Sequence, residues 1–159
     1  MTINDFIMTS ISMSVKQYFL RKGDEKSERI LMFVPYNLRE KPRSKLDFSF
    51  VNQVAVFPVV LDLVNEFKAG VQIISRSLRP IRESFVTFAM FQLIRLSQFI
   101  PYTVAVAGFL EFADKTSILC TNVRGPSVPY RLAGVDSIKC TTFMPNLANI
   151  TGGFAIVSH

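Results

Sequence analysis

Apolar side chains fall along this chain in two rhythms, one at every third or fourth position and one in unbroken runs. Ile3, Ile7, Ile11, Val15 and Tyr18 recur at helical spacing, with Phe6 and Phe19 beside them. Thr2 stands three residues ahead of Asp5, the spacing of a capping box, and Gly23 follows the basic pair Arg21 and Lys22 as a helix C-cap would. A helix is expected between them. Residues 30–36 form a continuous apolar run ending at Pro35 and Tyr36, the look of a buried strand.

Residues 48–60 are rich in β-formers, with Pro58 near the end. Asp62 is placed to cap a second helix whose Val64, Phe67, Val71, Ile74 and Leu78 make an apolar stripe, core-facing without any cofactor. Pro80 then separates a third helix, about 81–100, which Pro101 stops. Its polar stripe (Ser84, Thr87, Gln92, Arg95, Gln98) is narrow, so the helix is either nearly all buried or laid against lipid. Three more strands are expected at about 117–123, 135–143 and 153–158, with turns at Arg124-Gly125-Pro126 and Pro145-Asn146. The order α-β-β-α-α-β-β-β implies a single α/β domain over 1–159: a mixed β-sheet flanked by helices. The last strand runs into His159, so the domain reads as cut short there.

Composition sharpens this picture. The hydrophobic share is 49% and the mean hydropathy +0.30, a surplus that calls for a face against another domain, a membrane surface or a lipid ligand. The net charge is +6, but the 15 Phe and four Tyr sit in apolar runs rather than among Lys and Arg, which argues against nucleic acid. Cys120 and Cys140 have no metal-ligand spacing and read as reduced core thiols. The stretch 85–109 is the one transmembrane candidate, and Gln92, Arg95, Gln98 and Pro101 speak against a span while leaving interfacial contact open.

Acid–base chemistry is scarce. The single histidine is His159, there is no G-x-S-x-G elbow, phosphate loop or His/Cys cluster, and Asp24, Glu25 and Glu40 lie in charged loops. No catalytic set is present in this chain, and neither a metal nor a bound cofactor is expected.

Short polar motifs remain inside apolar text. Asn4-Asp5 opens a helix, Val34-Pro35 with Arg39 closes a strand, and Asn52 sits in another. Asn122-Val123-Arg124-Gly125-Pro126 ends a strand in a turn, Leu132-Ala133-Gly134 precedes the next, and Gly152-Gly153 opens the last. Singly, each has a plain reading as a cap, a solvated side chain or a chain reversal. In this order and spacing they resemble the C-terminal domain of the bifunctional wax ester synthase/diacylglycerol acyltransferase family. The Asn-Val-x-Gly-Pro…Leu-Ala-Gly block is the most specific part of the likeness. Cys120-Thr121 stands where the family tends to have Ser before the Asn, and Val51 replaces a usual Gly.

The resemblance implies one half of a two-domain, coenzyme-A-dependent acyltransferase fold with a tunnel between the halves. The family's His-His-x-x-x-Asp-Gly motif would belong to an N-terminal domain, outside this sequence, so the chain reads as truncated at both ends. Acyl-CoA would be co-substrate, and a long-chain alcohol or diacylglycerol the acceptor. Asn4, Asp5, Asn122, Gly125 and Pro126 would shape the tunnel wall, Asp5 by holding the helix start and Gly125 by allowing close backbone approach. Arg76, Arg79 and Arg82, three apart around Pro80, would meet anionic head groups, bind coenzyme A phosphates or stay solvated. The setting implied is intracellular and peripheral to a membrane, at the endoplasmic reticulum or lipid-droplet surface in a eukaryote. The alternative from the residues alone is a non-catalytic lipid-binding or membrane-surface module, or a partner of an active acyltransferase.

Overall fold

A computed structural model describes residues 2–39, 44, 53–83, 85–125, 131–136 and 149–158. The first helix, α1 (Ile3–Arg21), begins with the expected box: Asp5 N–H donates to Thr2 Oγ1 at 3.4 Å, and Thr2 N–H donates to the Asp5 carboxylate at 2.6 Å. Its end is a Schellman motif. Asp24 N–H reaches the Phe19 carbonyl and Gly23 N–H the Leu20 carbonyl, with Gly23 at φ +80°, where a side chain would be strained.

Two strands follow, β1 (Arg29–Asn37) and β2 (Val54–Asp62), paired antiparallel from Arg29↔Asp62 to Asn37↔Val54. Residues 48–52 of the expected second strand lie outside the described residues. Asp62 does not cap a helix. It closes β2, where its carboxylate accepts from Arg29 Nε at 2.7 Å, and the next helix, α2 (Phe67–Glu83), starts five residues later. Of the expected stripe, Val71, Ile74 and Leu78 are buried in α2 and Phe67 is half-buried, while Val64, also buried, precedes the helix. Each such side chain is worth roughly 1.5–3 kcal/mol of burial.

The expected single helix over 81–100 is two pieces. Pro80 does not break the chain: α2 runs through it to Glu83, and α3 (Val86–Ser97) begins after the interruption at Phe85. A further helix, α4 (Tyr102–Asp114), lies where no element was expected. Its segment is apolar on every side, so it lacks the periodic contrast by which a surface helix is read from sequence.

The last elements are β3 (Ile118–Arg124), a short hairpin of β4 (Arg131–Leu132) and β5 (Val135–Asp136), and β6 (Gly152–Ser158). Of the strand expected over 135–143, only Val135–Asp136 is described; Cys140 falls outside. The main sheet has the order β2-β1-β3-β6, with β3 parallel to both β1 and β6, so the expected mixed sheet flanked by helices is the architecture.

One sheet face carries the core. Ala55, Phe57, Val59 and Leu61 of β2 are buried, and Val59 and Leu61 pack beside Ile30, Met32 and Cys120 with Met8 and Ile11 of α1 and Ile74 and Leu78 of α2. The buried face of α1 takes in the middle of the isoleucine series, with Ile11 buried and Ile7 and Val15 packed against the core, and adds polar residues. Asp5, Met8, Thr9, Ile11, Ser12 and Lys16 are buried, whereas Ile3, Phe6 and Tyr18 are exposed. The polar members earn burial by satisfying backbone: Ser12 Oγ donates to the Asp62 carbonyl and accepts from Val64 N–H, and Lys16 Nζ donates to the Ser27 carbonyl. On the second face, Val54, Val56 and Val60 remain exposed, and α4 is attached there by its last turn, through Phe112 on Phe33 and Ala113 beside Leu119 and Ile150.

The α1–α2 contact depends on a missing side chain. A Cβ on Gly70 would meet Val64 Cγ2 at 2.6 Å and Thr9 Cγ2 at 3.2 Å. Gly70→Ala is therefore expected to destabilise the chain by about 1–3 kcal/mol in urea titrations. Gly108→Ala, in α4 with no atom within 4 Å of its added Cβ, should be neutral or stabilising. Equal responses would show that the helices can part to admit a methyl group.

Candidate functional site

The site grows from two asparagines far apart in sequence. Asn4 lies in the first turn of α1, and Asn122 lies near the end of β3. Their side chains meet: Asn122 Nδ2 donates to Asn4 Oδ1 at 2.6 Å across 118 residues of sequence. Both residues are exposed, so the bond sits on the rim rather than in the core. Since β1, β3 and β6 run parallel, their C-terminal ends share one edge, and α1 opens beside it. Ligands of open α/β sheets bind outside such strand ends. Ile3 and Val123, each neighbouring an asparagine, are exposed, so polar amides and apolar side chains alternate along the rim.

Asp5 points the other way. It is fully buried, its Oδ2 accepts from Thr2 N–H and, at 3.4 Å, from the Ser75 hydroxyl of α2. Thr9 Oγ1 donates to the Asp5 carbonyl at 2.7 Å. A carboxylate at a helix N-terminus is favoured by the dipole and by the free N–H groups there. Asp5 thus fastens the start of α1 to α2. Sequence reasoning placed Asp5 at the helix start but missed Ser75, whose serine has no local signal.

The other motif positions divide. Gly125 follows β3 directly and is half-buried, whereas Pro126 and Asn52 lie outside the described residues. Leu132-Ala133-Gly134 makes the β4–β5 hairpin, with Ala133 at φ +49° and Gly134 at φ +85°, the pair of left-handed residues that a two-residue hairpin needs. Arg131 and Asp136 pair across it at 2.6 Å. Arg39 N–H donates to Asn37 Oδ1, closing a turn after β1.

Arg76 and Arg79 are exposed on α2 and edge a shallow depression of about 310 Å³ with Val71, Gln72 and Ser75. Arg82 belongs to the same helix, and its side chain lies outside the described part. A second hollow of about 340 Å³ is more apolar, lined by Val15, Tyr18, Phe19, Ile30, Ile118 and Phe154. It lies at the far half of α1 from Asn4. Cys120 is fully buried, and desolvation pushes its thiol up to about 11, so it is a core group rather than a nucleophile. Asp24 accepts from Lys26 N–H and from Ser27, whose hydroxyl hydrogen bond does most to hold its carboxyl below the usual range, so it closes a loop.

Residues 51–159 match the family model described as the WS/DGAT C-terminal domain. The chain belongs to that family. WS/DGAT proteins are acyltransferases of two domains, so an N-terminal domain is the partner that this half implies. The match covers Asn122 and Gly125 but begins after Asn4 and Asp5, so the Asn4–Asn122 bond joins a position inside the matched region to one before it. No curated protein matches the chain. Among solved structures, the epimerization domain from the third module of tyrocidine synthetase B is similar at 13% identity and a TM-score of 0.44. The likeness covers 77% of this chain and 26% of that one.

The two ends of this site separate by stability. Asp5→Ala is expected to cost about 1–2 kcal/mol, the range for a lost helix cap. Asn122→Ala, at an exposed pair, should cost less than about 0.5 kcal/mol. Urea denaturation measures both, and a large loss for Asn122→Ala would make the pair a structural tie.

Proposed function

We propose that this chain forms one wall of an acyl-transfer tunnel, opposite an N-terminal domain that carries the histidines. The observation that supports it is the Asn4–Asn122 hydrogen bond, which joins two motif residues at an exposed strand-end rim while their neighbour Asp5 is consumed by the fold. Amides fixed in this way present donors and acceptors without charge, suited to orienting a thioester or hydroxyl beside apolar chains.

In the reaction so read, a histidine of the N-terminal domain takes the proton of a long-chain alcohol or diacylglycerol hydroxyl. The oxygen attacks the carbonyl carbon of a fatty acyl-CoA, the carbon–sulfur bond breaks, and coenzyme A leaves as its thiol after accepting that proton. The product is a wax ester or triacylglycerol. Cys120 is buried and protonated, and the chain's one histidine is His159, so the reading takes its base from the N-terminal domain. The part of the present half is positioning. Gly125, directly after β3, lies within reach of the same rim, and acyl-CoA serves as co-substrate with no bound cofactor. Such substrates place the protein at an intracellular membrane or lipid surface.

The test joins this chain to an N-terminal domain of the family and follows ester formation from acyl-CoA. Asn4→Ala and Asn122→Ala should each lower kcat/KM by about a hundredfold, the scale of a misplaced reacting group, with little change in melting temperature. Because they share one contact, the double variant should be no worse than either single one. Additive losses, or activity that falls only with the folded fraction, would sink the reading in favour of a non-catalytic lipid-binding module.

A further inference from the structure

Between Glu83 and Glu111 the chain has one charged residue, Arg95. That segment holds α3, the corner at 98–101 and most of α4, and among the described residues its large apolar side chains are mostly exposed. Phe85, Leu96, Phe99, Tyr102 and Val104 are all exposed, Phe99 at 77% and Tyr102 at 81%. Only Ala113 of α4 is buried. A short helix exposed in this way has little stability of its own in water. The segment therefore requires a covering.

Its chemistry narrows what that covering is. Among the described residues no helix is long and apolar enough to cross a membrane, which leaves contact from one side. Aromatic residues stand at the corner, where a segment entering an interface places them. Arg95 is held over the Phe91 ring, its guanidinium 6.0 Å from the centroid, so the one cation lies on the aromatic surface with its head exposed. Upstream, the stretch from Lys68 to Arg95 carries five basic residues and one acidic, and Arg76 and Arg79 are exposed on the helix that leads into α3. A protein partner of neutral character would leave this excess unmatched, whereas anionic head groups match it. Nor is the depression beside Arg76 and Arg79 a built phosphate site: it is shallow and open, and the buried carboxylate of Asp5 lies just behind Ser75.

We infer that the α3–α4 corner is a docking surface for anionic lipid, with Phe99 and Tyr102 entering the interface and Arg76, Arg79 and Arg95 facing head groups. The inference gives the membrane contact of the proposed function a place, yet its test does not pass through acyl transfer. The full chain is mixed with phosphatidylcholine vesicles, with and without phosphatidylserine, and sedimented. Binding is expected only with phosphatidylserine and should fall steeply in high salt. Phe99→Ser with Tyr102→Ser should weaken it at least tenfold with the melting temperature unchanged, as exposed positions allow, and Arg76→Gln with Arg95→Gln should remove the preference for the anionic lipid. Absence of binding, or equal binding by the Phe99/Tyr102 variant, overturns the inference. So does a vesicle-free dimer that this variant dissociates, which would make the corner a contact between copies. Ester formation by the joined protein without vesicle binding would sink this inference alone; binding without ester formation would sink only the acyl-transfer reading.

Discussion

The structure turns on one buried carboxylate. Removing an ion from water costs several kcal/mol unless hydrogen bonds and field repay it. Asp5 is repaid by Thr2 N–H, by the Ser75 hydroxyl and by the positive end of α1. These partners come from two helices, so Asp5 fixes both where α1 starts and how α2 lies against it. Residue 4 then turns about 100° away around the helix, out of the core and toward the end of β3. With Asp5 turned inward, Asn4 meets Asn122 at the end of β3. Gly70 completes the arrangement by letting the two helices touch near Thr9.

That rigidity is confined to one side of the sheet. Helices α1 and α2 cover Val59 and Leu61, but Val54, Val56 and Val60 across the strand remain exposed. Strands that are apolar on both faces belong to sheets covered on both faces. The hydrophobic surplus of the composition is thus spent in three places: a core, an uncovered sheet face, and the α3–α4 corner. A half of a two-domain family is the kind of molecule in which the uncovered sheet face makes sense, since a partner domain completes what one half leaves open.

Much of this was legible wherever the signal is local. The capping box, Gly23 and the stripe Val71, Ile74, Leu78 are read from residues within a turn or two of each other, and all three stand. The failures share a cause, which is that tertiary contact outranked local pattern. Asp62 looks like a helix cap until Arg29 pairs with it across the strands. Pro80 looks like a stop, yet the helix continues through it to Glu83, and α4 offers no contrast between faces to read. Of the site, the residue types were legible as motifs. What no motif could show is that Asn4 and Asn122 touch and that Asp5 is turned inward.

The division of labour between neighbours follows from helix geometry. Had Asp5 faced the rim, its charge would have repelled the phosphates and carbonyl oxygens of an acyl-CoA, and a developing oxyanion most of all. Burying it satisfies the helix and leaves a neutral amide as the exposed member of the pair. Asn122 contributes the second amide from a strand whose inward residue, Cys120, is packed in the core and whose position is set by β1 and β6 on either side. The amide pair is therefore itself uncharged and is anchored from both a helix and a sheet. A wall that orients without ionising suits the proposed acyl transfer, in which the base comes from the other half.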